Sequence, residues 1–374
     1  MSATRLAALV ASPLAALALA GCTQESAGPA VADFAIDYPD YPAPAGAPSP
    51  PCAAASHAGS THEITFDERR GGPLWISGQN DDALVRLAPD GANPPAMQFR
   101  QMPPCSGPHG IAFDAEGRLW VTLEFLGRIR LLDAEGRFVR DFDVTTGGVS
   151  PHPHGLGVGA DGRTIWWTGK TAGVVGRITA DGETSSFALP TRDGLPIYIR
   201  AGPDGNMWVT ELTGNNIARV TPAGAVTEFP IPTPGSRPIA IVPGPDGAMW
   251  FSEEAGSRVG RITAGGAITE YPVPRDQPNR ILAGLAFDRA GNLWVQQYVD
   301  RNHPEPGGTD VLIRIDRAAL AGPPAALRPA HFTTFPVPTR GTVMHRIVEG
   351  PDGAMWFTEM HADKVGRIAA GPAR

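Results

Sequence analysis

The chain has 374 residues, a formal charge of -7 and only 18% charged residues, with 45 glycines and 39 prolines. The acidic balance excludes nucleic-acid binding, which needs a basic surface to displace counterions. Abundant Gly and Pro with few charges favour many short strands joined by tight turns, and nothing beyond the first two dozen residues is apolar enough to span a bilayer.

Residues 1–22 read as a lipoprotein signal peptide. Arg5 supplies the positive charge, Leu6 to Ala20 is mostly Ala, Leu and Val, and Leu19-Ala20-Gly21-Cys22 has the form of a lipobox. Acylation of Cys22 would make this an exported lipoprotein, tethered to a membrane only by its lipid and facing the periplasm or cell exterior. Residues 23–51 form an N-terminal tether. Within it, residues 33–39 (Asp33-Phe34-Ala35-Ile36-Asp37-Tyr38-Pro39) have the pattern of a strand. A Pro/Ala-rich connector follows, up to Pro51.

From residue 52 to 370 one unit recurs. Seven tryptophans mark its copies: Trp75, Trp120, Trp166, Trp208, Trp250, Trp294 and Trp356. Most lie about 41 to 46 residues apart, the length of a four-stranded propeller blade. The clearest copies, such as Gly202-Pro203-Asp204-Gly205-Asn206-Met207-Trp208, place an Asp-Gly hairpin turn before the strand that carries the Trp. Gly-Arg-Ile follows, as in Gly176-Arg177-Ile178, and Glu-aromatic-Pro closes several units, as in Glu228-Phe229-Pro230. The predicted fold is all-β, a seven-bladed β-propeller with four-stranded blades. The last unit stops near Ile368 without its outer strand, so the strand at 33–39 is expected to complete that blade and close the ring. Two insertions account for the long final interval, about Val299 to Thr309 and Arg317 to Pro329.

Propellers carry ligands at the mouth of the central channel, where the innermost strand of each blade begins. About eleven residues before each Trp, this slot reads His62, His109, His154, Ile197, Ile239, Ala283 and His345. In a closed ring these four histidines occupy adjacent blades. Clustered imidazoles serve proton transfer or metal ligation, and three or more of them suit zinc. The second strands end near the same mouth with Gln79, Glu124, Lys170, Glu211, Glu253 or Glu254, Gln297 and Glu359. Glu124 and Glu359 share blades with His109 and His345 and are candidate metal ligands with His62, His109 and His154. His62, His154 and Lys170 are candidate substrate contacts. Glu211 and Glu253 are expected to pair with the repeating arginines instead. Cys52 and Cys105, in the loops entering the first two blades, are a candidate disulfide in an exported protein.

The units Gly-Pro-Asp-Gly-x-Met-Trp and Val-Gly-Arg-Ile, with Trp356-Phe357-Thr358-Glu359 and Lys364-Val365-Gly366-Arg367-Ile368 as the nearest copies, resemble the virginiamycin B lyase (streptogramin lyase) family from about His62 to Ile368. The resemblance implies a seven-bladed propeller that opens a cyclic depsipeptide ester by elimination, with a histidine base and a magnesium ion held through glutamates. It places the base at His345 and a metal carboxylate at Glu359. A further metal glutamate of the family falls at Val343 here, and its substrate-binding histidine at Ala283. Pro108-His109-Gly110-Ile111, with Trp120 and Glu124, echoes the family's catalytic strand on a second blade, which makes His109 an alternative base. The expected activity is metal-assisted cleavage of a cyclic ester or related small molecule by a monomer. A metal-dependent hydrolase or lactonase and a non-catalytic binding propeller stand as alternatives.

Overall fold

The computed structural model describes residues 29–40 and 59–370. Seven four-stranded antiparallel sheets follow one another round a central channel. Six run in chain order, spanning residues 61–101, 108–143, 153–188, 196–230, 238–272 and 280–336, and are blades 1 to 6. Blade 7 takes its three inner strands from residues 344–369 and its outer strand from Ala32–Ala35. The signal peptide with Cys22, the 41–51 connector and Cys52 lie outside the described residues, while Cys105 is disulfide-bonded.

Each second strand is buried on both faces because a blade packs on either side of it. Leu119–Leu123, Met207–Glu211 and Met249–Glu253 are buried at every position, whereas the outer strand Thr184–Ala188 alternates between exposed and half-buried. This explains why the second strands read as apolar runs and the outer ones do not. The tryptophans fill the space between blades and are at most 3% exposed. In Trp120, Trp208, Trp250, Trp294 and Trp356 the indole N–H donates to the turn aspartate of the same unit, as in Trp208 to Asp204 and Trp356 to Asp352, both at 3.0 Å. Third-strand arginines cover four of the rings, among them Arg177 over Trp166 and Arg367 over Trp356 at 5.7 and 5.6 Å from the centroids.

Six of the seven inner strands break register immediately after their first cross-strand pair, for instance between Pro108 and Ile111 and between Met344 and Ile347, and that of blade 6 breaks after its third, between Leu282 and Leu285. The N–H freed by this bulge is bonded to a side chain two residues after the Trp. Thr122 serves Gly110 (2.7 Å), Thr168 serves Gly155 (2.8 Å), Thr210 serves Tyr198 (3.1 Å) and Thr358 serves Arg346 (3.0 Å). The same four hydroxyls donate onward to the channel-slot carbonyl of the next blade: His154 (3.0 Å), Ile197 (3.0 Å), Ile239 (3.2 Å) and His62 (2.7 Å). One hydroxyl therefore satisfies a bulge and positions its neighbour. Gly110 and Gly155 sit at these contacts; a Cβ there would lie 2.3 and 2.2 Å from the His154 and Ile197 carbonyl oxygens.

The last of these bonds joins blade 7 to blade 1. Asp363 reinforces it by accepting from the N–H groups of Gly59, Ser60 and Thr61 at 2.7 to 3.1 Å. The N-terminal strand is shorter than the 33–39 segment because the chain then leaves blade 7 for blade 1. Tyr38 donates or accepts at Thr61 Oγ1 (3.0 Å) and packs on Phe99 with ring centroids 5.9 Å apart. The second insertion, which carries the short helix Arg317–Leu320, lies against blade 5, where Tyr271 donates to the Gly322 carbonyl at 3.3 Å.

Thr210→Val, remote from the histidines, should strand the Tyr198 N–H and the Ile239 carbonyl. We expect a loss of about 2 kcal/mol, read by urea unfolding, whereas Thr210→Ser should retain most of the stability.

Candidate functional site

The register break places the slot residue of each blade at the channel mouth, and the four histidines meet there. Ring centroids lie 3.7 Å apart for His109 and His154, 4.9 Å for His62 and His109, 5.1 Å for His62 and His345, and 5.4 Å for His109 and His345. His109 and His345 face each other through their Nε2 atoms at 3.4 Å. His62 Nδ1 lies 2.7 Å from the Ser60 carbonyl oxygen, which can only accept. That nitrogen therefore carries the proton and the Nε2 lone pair remains available. His62, His109 and His154 are buried, and His345, at 13% exposure, is the ring most open to solvent.

Burial disfavours the imidazolium form of all four. It holds His62 at about 4, and the other three well below the ordinary histidine value, with mutual repulsion and the Arg346 charge acting in the same direction. The site is a set of neutral imidazoles at neutral pH.

A second layer, which reading one residue per blade could not reveal, lies one residue further along the bulges. Glu63 approaches His345 Nε2 (3.7 Å) and His109 Nδ1 (4.0 Å) and forms an ion pair with Arg346 Nε at 2.7 Å. Burial raises the Glu63 pKa, and Arg346 and Arg200 oppose the rise. Arg346 in turn lies 4.0 Å from the Tyr198 ring centroid, and Arg200 lies 4.2 Å from it. The sequence signal for this layer was the residue after each slot: Glu63, Tyr198 and Arg346 among small residues elsewhere.

The carboxylates at the ends of the second strands fall into two sets. Gln79, Glu124 and Lys170 follow their Trp by four residues and face one another across blades 1 to 3: Gln79 donates to Glu124 at 2.7 Å, and Lys170 lies 3.4 Å away. His152 approaches the same carboxylate at 3.9 Å. Glu211, Glu253, Gln297 and Glu359 follow their Trp by three residues, and a one-residue slip on a strand reverses the face. Glu359 is accordingly set apart from the histidines. Its charged neighbours are Asp33, Asp310 and Lys364, and burial raises it to about 8. Nor do Glu211 and Glu253 pair with the repeating arginines: Arg219 lies over Trp208, and Arg261 pairs with Asp246 at 2.6 Å. Glu211 is buried beside Glu228 and raised to about 8; Glu253 accepts from Ser236 at 2.8 Å and is raised to about 7.

Two groups have ligand atoms mutually within 4.8 Å: His62, His109 and His345, and His109, Glu124 and His154. The buried Nδ1 atoms of His109 and His154 have no hydrogen-bond partner. Neutral imidazoles with orphaned lone pairs fit zinc or another borderline ion. They do not fit magnesium, which prefers oxygen ligands: Glu359 is elsewhere, Val343 offers no carboxylate and Glu63 is engaged by Arg346.

Because Glu211 and Glu359 hold protons that the unfolded chain would release above about pH 4.5, they lower stability as pH rises from there through about 8. Glu359→Gln should flatten that decline in a pH series of urea unfolding and leave the metal content unchanged. Glu124→Gln should reduce the zinc content measured after dialysis.

Residues 54–302 match the model of the virginiamycin B lyase family. A virginiamycin B lyase of Nocardia farcinica is 34% identical over 136 residues, 36% of this chain and 45% of that protein, so the match spans less than half of the relative. Among solved structures, a streptogramin B lyase superposes with a TM-score of 0.71 at 23% identity, covering 91% of this chain and 97% of that one. A catalytically inactive histidine-to-alanine variant of the Staphylococcus aureus virginiamycin B lyase with quinupristin gives the same TM-score at 23% identity, over 92% of this chain and 100% of that one. These likenesses establish the fold, and the match over two thirds of the chain, reaching from ahead of His62 through blades 1 to 5, places this seven-bladed propeller in the virginiamycin B lyase family.

Proposed function

We propose that the protein is a lyase that opens a cyclic ester or a related small molecule by elimination at the histidine-lined mouth. The observation that carries this reading is the imidazole of His345, the least buried of the four, beside the buried group His109, Glu124 and His154. His345 acts as the base. Its Nε2 takes a proton from the carbon next to the one bearing the ester oxygen. The C–H electron pair forms a C=C bond, the C–O bond breaks and the carboxylate departs, with no water consumed. Glu63, 3.7 Å away and fixed by Arg346, stabilises the imidazolium that forms. His109, His154 and Glu124 would hold a zinc-like ion, which when bound polarises an ester oxygen. Lys170, Gln79 and His62 line the opening and orient the substrate. The N-terminal signal supports action outside the cytoplasm by a lipid-anchored protein.

Ring opening of a streptogramin B depsipeptide or a simpler cyclic depsipeptide should leave the substrate mass unchanged, whereas a hydrolase would add one water. His345→Ala should lower kcat by about 10²- to 10⁴-fold with zinc content retained, and His109→Ala should lose both. Zinc should restore a chelator-treated sample better than magnesium. A product heavier by one water, or full activity in His345→Ala, would overturn the assignment.

A further inference from the structure

The histidine quartet offers more ligand atoms than one ion uses. The position at His109, Glu124 and His154 leaves out His62 and His345. Those two form a second group with His109, in which one nitrogen of each ring lies within 4.8 Å of the other two. Within it, His109 Nε2 and His345 Nε2 are 3.4 Å apart. That is long for a hydrogen bond. It matches the spacing of two nitrogens on one tetrahedral zinc, which, each about 2.0 to 2.1 Å from the ion, lie about 3.3 to 3.4 Å from one another. His62 is already in the form a ligand needs. Its Nδ1 donates to the Ser60 carbonyl oxygen at 2.7 Å, which leaves the Nε2 lone pair free.

The two positions differ in kind. The first counts a carboxylate, Glu124, among its ligands, and the second has three neutral nitrogens. Glu63 lies 3.7 Å from His345 Nε2, but its charge is taken up by Arg346 at 2.7 Å. An all-imidazole set favours zinc, copper or nickel over magnesium, calcium or manganese. Without a carboxylate ligand to offset the ion's charge, it is the weaker of the two. The positions also share His109, so an ion in the second loosens the hold of that ring on the first. The second takes His345, which is the least buried of the four rings at 13% exposure.

We propose that His62, His109 and His345 form a second, weaker position for zinc, and that an ion held there silences the lyase by occupying the Nε2 lone pair of His345. A base whose lone pair is bound to a metal cannot accept the substrate proton. The effect on cleavage rests on the reading of His345 as the base, whereas the site itself does not. Zinc thus supports the reaction from the first position and stops it from the second.

The test is zinc titration of the full chain against a competing chelating dye. Glu124→Gln removes the carboxylate of the first position and should still bind one zinc. Adding His62→Ala or His345→Ala to that variant should weaken this binding at least about tenfold. Adding His303→Ala, which alters an exposed histidine in the blade 6 insertion, should leave it unchanged. Equimolar magnesium should not compete. Thermal unfolding shows whether the chain carrying His62→Ala, a change at a buried ring, is folded; if it is not, the less buried His345→Ala decides alone. In the wild type, cleavage should fall at least about tenfold as zinc rises past the first equivalent, and should return on dialysis. No zinc binding by Glu124→Gln, or binding that neither His62→Ala nor His345→Ala weakens, would overturn the site. Binding as expected with cleavage indifferent to excess zinc would keep the site and remove His345 as the base.

Discussion

The structure depends on a polar side chain placed two residues after each blade tryptophan. In four blades that Thr accepts from the bulged N–H of its own inner strand and donates to the slot carbonyl of the next. Blade 6 uses Gln296 for the same purpose, accepting from Gly284 at 2.9 Å and donating to Arg346 at 3.1 Å. Buried peptide groups left unpaired are expensive. In these five blades the relay therefore ties the angular position of the blade to the backbone of its neighbour, and the channel side chains inherit that spacing.

The chemistry follows from where this spacing sets the imidazoles. Four rings are held together in a place where water cannot support their protonated forms, so they remain neutral, as a base or a zinc ligand requires. Opposite charges surround them in a fixed arrangement, Glu63 against Arg346 beneath and Glu124 against Lys170 at the lip. The Pro-His-Gly sequence of blades 2 and 3 unites these needs: proline opens the strand, histidine enters the channel, and glycine allows the neighbouring carbonyl to come close.

The fold and the histidine ring were legible in the sequence because tryptophan spacing counts blades and the slot keeps a nearly constant distance from the Trp. His62, His109, His154 and His345 all occupy the equivalent point of a register break. The carboxylates were harder to read. Glu124 and Glu359 are one residue apart relative to their tryptophans, and strand pleating turns that difference into opposite faces. Where the second strand gives way to its turn is not marked by residue type: Glu124 opens a short 3-10 turn, whereas Glu359 is still paired with Met344. Glu63, Tyr198 and Arg346 were hidden for a related reason. A bulge brings two successive residues toward the channel, and a pattern of one position per blade records only the first.

The histidine quartet straddles the seam at which the two ends of the chain meet. His345 belongs to the last blade and His62 to the first, and residues 32–38 bridge both. The centre draws on the first and the last blade, so it is complete only when the ring is closed. A form lacking blade 1 or blade 7 would lack His62 or His345. The histidine-lined mouth is therefore a property of the completed circle.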